Sequence, residues 1–220
     1  MPTPAPEAGG IRRESESGQG AALVAFDFDG TLTVKDSFNA FLLWRTPWTR
    51  LLLGLFRLSP ALAAYVLHRD RGRIKADAVR VLLGGVSRER LAADAEAFAQ
   101  AFAQRLFRPD ALARWEAHGR EGRERVIVTA SPEDVIAPFA RRLGADRLIG
   151  TRLRFDARDR VAGGFEGPNC RGPEKVVRLE AVYGADVRLA AAYGDTSGDI
   201  EMLARADRPF MRLFQGRPER

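Results

Sequence analysis

Several short apolar runs of this sequence end in groups able to do chemistry. Leu23–Phe28 is apolar except for Asp27, and Asp29 follows at once, so one chain segment ends in two carboxylates. Val126–Val128 ends at Thr129, and Leu189–Tyr193 runs into Gly194-Asp195, with Asp199 four residues further on. Lys175 follows Gly172-Pro173-Glu174, a combination that opens a helix. In an open parallel sheet the C-terminal strand ends converge on one crevice, so these residues can meet although they are far apart in sequence. Carboxylates crowded in that way resist joint ionisation unless a cation compensates them. The chain has one cysteine, Cys170, and two isolated histidines, His68 and His118. Hard oxygen donors then favour Mg²⁺, held by carboxylates, waters and a substrate phosphate oxygen.

The elements that must position these groups follow from patterning. Leu23–Phe28, Val126–Thr129 and Leu189–Tyr193 read as buried parallel strands, being short, continuous and apolar. Leu148–Phe155 and Arg160–Phe165 read as strands flanking a turn at Asp156–Asp159, and Met211–Phe214 as a final strand. Leu91, Ala95, Phe98, Phe102 and Leu106 recur at helical spacing, and Ser131-Pro132-Glu133 opens another helix, with Ser131 expected as its cap in preference to a phosphate donor. Strands alternating with helices predict an α/β fold, a doubly wound parallel sheet. The helical stretch after the first strand is too long for one crossover. Residues 36–107 are therefore expected as an inserted helical cap, with 21–35 and 108–220 forming the core. Residues 1–20, rich in Pro, Gly, Ser and Glu, read as a disordered tail. His68 and His118 are expected at the surface and Cys170 as an ordinary small residue.

Phe26-Asp27-Phe28-Asp29-Gly30-Thr31-Leu32-Thr33 resembles the first signature of the haloacid dehalogenase (HAD) superfamily. Val126–Thr129 resembles its second motif, Lys175 fits the third, and Gly194-Asp195-Thr196-Ser197-Gly198-Asp199 the fourth, all in order across most of the chain. The resemblance implies a Rossmann-like core and a phosphatase using Mg²⁺. Asp27 would be the nucleophile, forming an aspartyl-phosphate, and Asp29 the acid and base. Thr129 and Lys175 would hold phosphoryl oxygens. Mg²⁺ would lie on Asp27, the Asp29 carbonyl and Asp195, with Asp199 ordering a metal-bound water or placing Lys175. Gly30 would permit the turn that delivers Asp29. A second acid at Asp29 separates phosphate-ester chemistry from dehalogenation, because a departing halide needs no proton.

The cap position resembles subfamily IB. Phosphoserine phosphatases of that branch carry Ser-Gly-Gly at motif two, whereas this chain has Thr129-Ala130-Ser131-Pro132, which disfavours that substrate. Asp36-Ser37-Phe38, Thr129–Pro132 and Asn169–Val176 are more similar to the phosphatidylglycerophosphatase C type.

Charge points the same way. The net charge is +6, and between Phe38 and Ala76 seven basic residues face one acid, while the rest of the chain balances. That segment also holds Trp44, Trp48, Tyr65 and many leucines, a mixture suited to a membrane surface, although an Arg-decorated helical hairpin with an ordinary core has the same composition. Its longest charge-free runs, Leu51–Phe56 and Leu58–Leu67, fall short of the ~20 residues a bilayer span needs. No secretory-type apolar stretch opens the chain, so a cytoplasmic protein touching the inner membrane face is expected. The expected substrate is a phosphomonoester, lipid-linked in the leading reading, with peripheral contact to anionic membrane. The alternatives are a soluble small-molecule phosphatase and, remotely, a basic nucleic-acid binder. The last leaves the carboxylates at strand ends unexplained, so no nucleic-acid partner is expected.

Overall fold

The computed structural model describes residues 22–49, 51–52, 54 and 71–218. The expected tail at 1–20, His68 and residues 50, 53 and 55–70 of the basic segment lie outside the described residues. β1 (Leu23–Phe26), β2 (Glu124–Pro132), β3 (Arg147–Thr151), β6 (Ala191–Gly194) and β7 (Pro209–Met211) form a fully parallel sheet in the order β3-β2-β1-β6-β7. Phe26 pairs with Ile127 on one side and Tyr193 on the other, so Asp27, Thr129 and Asp195 leave the same edge of the sheet within two residues of register. β1 is central and buried on both faces: Val24 and Phe26 enter one apolar cluster and Leu23 and Ala25 the other. That is why its sequence is a continuous apolar run rather than an alternation.

Seven helices are described: α1 (Ser37–Arg45), α2 (Arg71–Leu83), α3 (Arg88–Leu106), α4 (Pro109–Arg120), α5 (Glu133–Arg142), α6 (Pro173–Tyr183) and α7 (Ile200–Leu203). Leu179 of α6 and Met202 and Leu203 of α7 cover one face of the sheet together with the buried Cys170. Helices α4 and α5 cover the other, and α1 to α3 join them in the same cluster through Phe38, Phe41, Val79, Leu91 and Phe98. The seam is aromatic: Phe98 and Phe28 each meet Phe139 edge-on, at 5.8 and 5.6 Å between ring centroids. Each such ring contributes roughly 1.5–3 kcal/mol by burial, so the inserted helices are anchored to the core.

Entry and exit of the insertion are tied together. Thr33 bridges Phe107, Val34 N–H donates to Leu106 O at 2.8 Å, and Arg108 N–H donates to Leu32 O at 2.9 Å. A small antiparallel hairpin, β4 (Leu153–Phe155) and β5 (Val161–Phe165), lies against the insertion, its edge continued by the Ser87–Arg160 bridge.

Two expectations need correction. The last strand ends at Met211, because Arg212 takes a left-handed backbone (φ 55°), and Phe214 instead turns inward to stack on Tyr193 at 5.3 Å. His118 is buried, 2% exposed, and its Nε2 lies 2.9 Å from the Tyr193 hydroxyl. Ala111, Trp115 and His118 share the inner face of α4 by helical spacing, and burial lowers the His118 pKa.

Candidate active site

Asp27 is the first residue beyond β1, and its N–H donates to Tyr193 O at 2.8 Å, fixing the strand end against β6. The chain then turns tightly over Phe28–Leu32, closed by Thr33 N–H to Phe28 O at 3.0 Å. Gly30 is required there twice. Its φ is +87°, and a Cβ would lie 2.1 Å from Asp195 Oδ2, so only glycine lets the first and fourth motifs approach. Asp27, Asp29, Thr129, Lys175, Asp195 and Asp199 all line one cavity of about 390 Å³. The structure therefore brings every predicted site residue together.

At the floor, one cation is shared among several acids. Lys175, in the first turn of α6 and 1% exposed, donates to Asp27 Oδ1, Asp199 Oδ1 and Val128 O, each at 2.6 Å. Burial alone would lower its pKa, but the two carboxylates raise it well above the ordinary lysine value. Asp199 receives further hydrogen bonds from Thr196 N at 2.9 Å and Asp195 N at 3.1 Å. Burial pushes the Asp199 carboxyl up, yet Lys175 and those amides more than reverse it, and its pKa falls. Asp27 has no such amides. Burial pushes it up, Lys175 pulls back incompletely, Asp199 and Asp29 push further, and it rises to about 7. Asp195 is also raised, by burial and then by Asp199.

That imbalance has the character of a cation site. Oxygens of Asp27, Asp195 and Asp199 lie within 4.8 Å of one another. A single ammonium cannot neutralise three carboxylates, and the donors are all hard oxygens, which fits Mg²⁺. Asp199, expected to place Lys175 or order a metal-bound water, directly holds the ammonium.

Asp29 is held differently. Ser37 N–H, at the start of α1, donates to its Oδ1 at 2.7 Å, and Ser131 Oγ to its Oδ2 at 2.5 Å. Both oxygens of its carboxylate are thus held by protein donors. Burial raises its pKa, Asp36 adds to this, and Lys75, Ser131 and Ser37 oppose. Thr129 is fully buried, and its Oγ1 accepts from Ser131 N–H at 3.1 Å.

Ser131 is therefore not the helix cap expected of it. Pro132 occupies the N-cap position of α5, with no side-chain cap bond. The pairing of β2 with β3 shifts register between Val128 and Pro132, and within that irregularity Ser131 N–H meets Thr129 Oγ1. Asp36, Lys75, Arg108 and Arg171 also line the cavity. Arg108 Nε donates to Gly30 O at 3.1 Å and Nη1 to Gly216 O at 3.0 Å, tying the first motif to the C-terminal segment. Nothing in the local sequence announces that bridge.

Comparison with known proteins fits this geometry. Residues 24–204 match the family of haloacid dehalogenase-like hydrolases. The chain belongs to this family. Protein CicA of Caulobacter vibrioides is 59% identical over 203 residues, covering 92% of this chain and 91% of CicA. A Bordetella pertussis structure of unknown function superposes with a TM-score of 0.71 at 26% identity, over 85% of this chain and 87% of that one. A phosphoserine phosphatase captured as an analogue of its phospho-aspartyl intermediate shares the fold, with a TM-score of 0.56 at 18% identity over 86% of this chain and 85% of that one. This HAD-like hydrolase is thus an enzyme with phosphatases among its structural neighbours, and its sheet and flanking helices are those of the family.

Proposed function

We propose that this HAD-like hydrolase is a Mg²⁺-dependent phosphomonoesterase acting through an aspartyl-phosphate on Asp27. The observation that carries the reading is the shared floor, where Asp27 stands at the end of the central strand with Lys175 at 2.6 Å and Asp29 on the same turn. Asp27 Oδ attacks phosphorus, the P–O bond to the leaving group breaks, and Asp29 gives its proton to the departing oxygen. Water then attacks the same phosphorus, the Asp27–P bond breaks, and the proton from water returns to Asp29. Thr129 and Lys175 hold equatorial oxygens, where developing charge is greatest. Lys175 is fully bonded at rest. Esterification of Asp27 removes the negative charge it faces there and frees one ammonium hydrogen for the phosphoryl group. Bound Mg²⁺, held by Asp27, Asp195 and the Asp29 carbonyl, supplies the charge that offsets repulsion between nucleophile and dianionic ester.

For the substrate, the leading class is a lipid-linked phosphomonoester such as phosphatidylglycerophosphate. Leu43, Trp44, Trp48 and Leu52 are 61, 41, 73 and 58% exposed within ten residues of the insertion, at the start of the strongly basic segment. Exposed Trp and Leu beside Arg and Lys suit an anionic bilayer surface, where each cation gains roughly 1 kcal/mol. Among the described residues no helix is long and apolar enough to cross a membrane, so the contact proposed is peripheral. A Mg²⁺-dependent phosphate-release screen over lipid phosphates and soluble phosphomonoesters tests both levels. Asp27→Asn should reduce release by roughly 10³-fold or more at unchanged fold, since an amide is a poor nucleophile. Turnover retained in that variant would remove Asp27 from the chemistry.

A further inference from the structure

Ser131 follows Thr129 by two residues at the second motif, is fully buried, and joins two of the groups proposed to act on the substrate. Its Oγ donates to Asp29 Oδ2 at 2.5 Å, and its N–H donates to Thr129 Oγ1 at 3.1 Å. The other oxygen of Asp29 is fixed by Ser37 N–H at 2.7 Å. Two donors from two different elements thus clamp one carboxyl in a single rotamer above the strand ends.

We infer that Ser131 is a positioning residue for the acid–base step, acting through Asp29. The inference rests on the phosphomonoesterase reading and deepens it. A hydroxyl is suited to the task because it is a donor. It donates to Asp29 Oδ2 and so fixes the carboxyl without consuming the proton that Asp29 gives to the departing oxygen. The backbone of Ser131 adds a second effect. By donating to a lone pair of Thr129 Oγ1, it leaves the Thr129 hydroxyl hydrogen free to point elsewhere, and Thr129 lines the cavity. Thr129 and Ser131, both buried where the β2–β3 pairing shifts register, thereby place phosphate donor and acid-holder side by side.

The test uses leaving groups. A para-nitrophenolate departs without a proton, whereas a simple alkoxide needs one. kcat/KM, which reports formation of the phosphoryl-enzyme alone, is compared for para-nitrophenyl phosphate and propyl phosphate. Asp29→Ala should depress the alkyl substrate by roughly 10²-fold or more relative to the aryl one. Ser131→Ala should skew the ratio in the same direction by about tenfold, and Ser131→Cys, which keeps the volume filled with a weak donor, should do likewise. In the Asp29→Ala background, Ser131→Ala should change the ratio by less than about twofold, because the two residues act as one unit. Equal losses on both substrates, or a full Ser131 effect in the absence of the Asp29 carboxyl, would overturn the role assigned to Ser131 alone. No skew from Asp29→Ala would overturn the acid–base assignment with it.

Discussion

Asp27 and Asp199 both face the Lys175 ammonium, yet only Asp27 is left with a raised pKa. At Asp199 the charge and hydrogen bond of Lys175, and then the amides of Thr196 and Asp195, outweigh burial, while at Asp27 burial prevails and leaves it at about 7. A pH dependence follows, with a definite sign. In metal-free protein the folded state holds the Asp27 proton up to about 7, whereas the unfolded chain loses it near 3.8. Native protein therefore binds more protons than unfolded protein between those values, and this residue's contribution makes stability fall as pH rises through that window. Mg²⁺ must displace that proton. Its affinity should strengthen by about tenfold per pH unit below about 7 and level off above it, with one proton released per ion. Calorimetric titrations in two buffers of different ionisation enthalpy measure both. A pH-independent affinity would show that Asp27 is not the ligand that limits binding.

At the scale of elements, the strands and the order of motifs were legible because each rests on local pattern. Leu23–Phe26 is apolar throughout because both its faces are covered, and Pro173 sits at a helix start where it lacks no needed hydrogen bond. The contacts that sequence did not reveal are long-range. His118 points inward only because α4 packs on β6 and β1, and Ser131 meets Asp29 across 102 residues of chain. The C-terminal segment belongs with these. Beyond the left-handed Arg212, Phe214 stacks on Tyr193 and Phe26, while Asp110 Oδ2 accepts from Gln215 and Gly216 N–H, each at 2.8 Å. Arg212 Nε also donates to Asp195 O at 2.8 Å. This segment braces the loop that carries Asp195. Phe214→Ala should lower stability by about 3 kcal/mol, the usual loss for a buried ring. Chemical denaturation measures it, and a loss under about 0.5 kcal/mol, the range of ordinary surface substitutions, would mean that the ring contributes little to the core.

At the scale of the whole molecule the proposed function separates two tasks. The proposed chemistry lies at the sheet edge, while Trp44 and Trp48 are exposed on the helical stretch whose ends are joined by the Thr33–Phe107 bridge. A protein built for peripheral contact should float with vesicles containing anionic phospholipid and remain behind with neutral ones. The floating fraction should fall with added salt, since exposed charges are screened over ~10 Å at 0.1 M. Trp44→Ser with Trp48→Ser should weaken flotation while leaving hydrolysis of a soluble aryl phosphate within about twofold, because neither ring lines the cavity. Absence of flotation, together with rapid turnover of water-soluble phosphates, would support the soluble-metabolite alternative.

The proposed function rests on a covalent bond between Asp27 and phosphorus, which acid-quenched reaction mixtures would reveal most directly. Protein mixed with substrate and Mg²⁺, stopped within a single turnover and digested, should carry a phosphoryl mass on the peptide containing Asp27. That adduct should build up in Asp29→Ala, where its hydrolysis lacks a base, and be missing from Asp27→Asn. Full turnover with no adduct in either wild type or Asp29→Ala, or a phosphoryl group on any other residue, would contradict the mechanism.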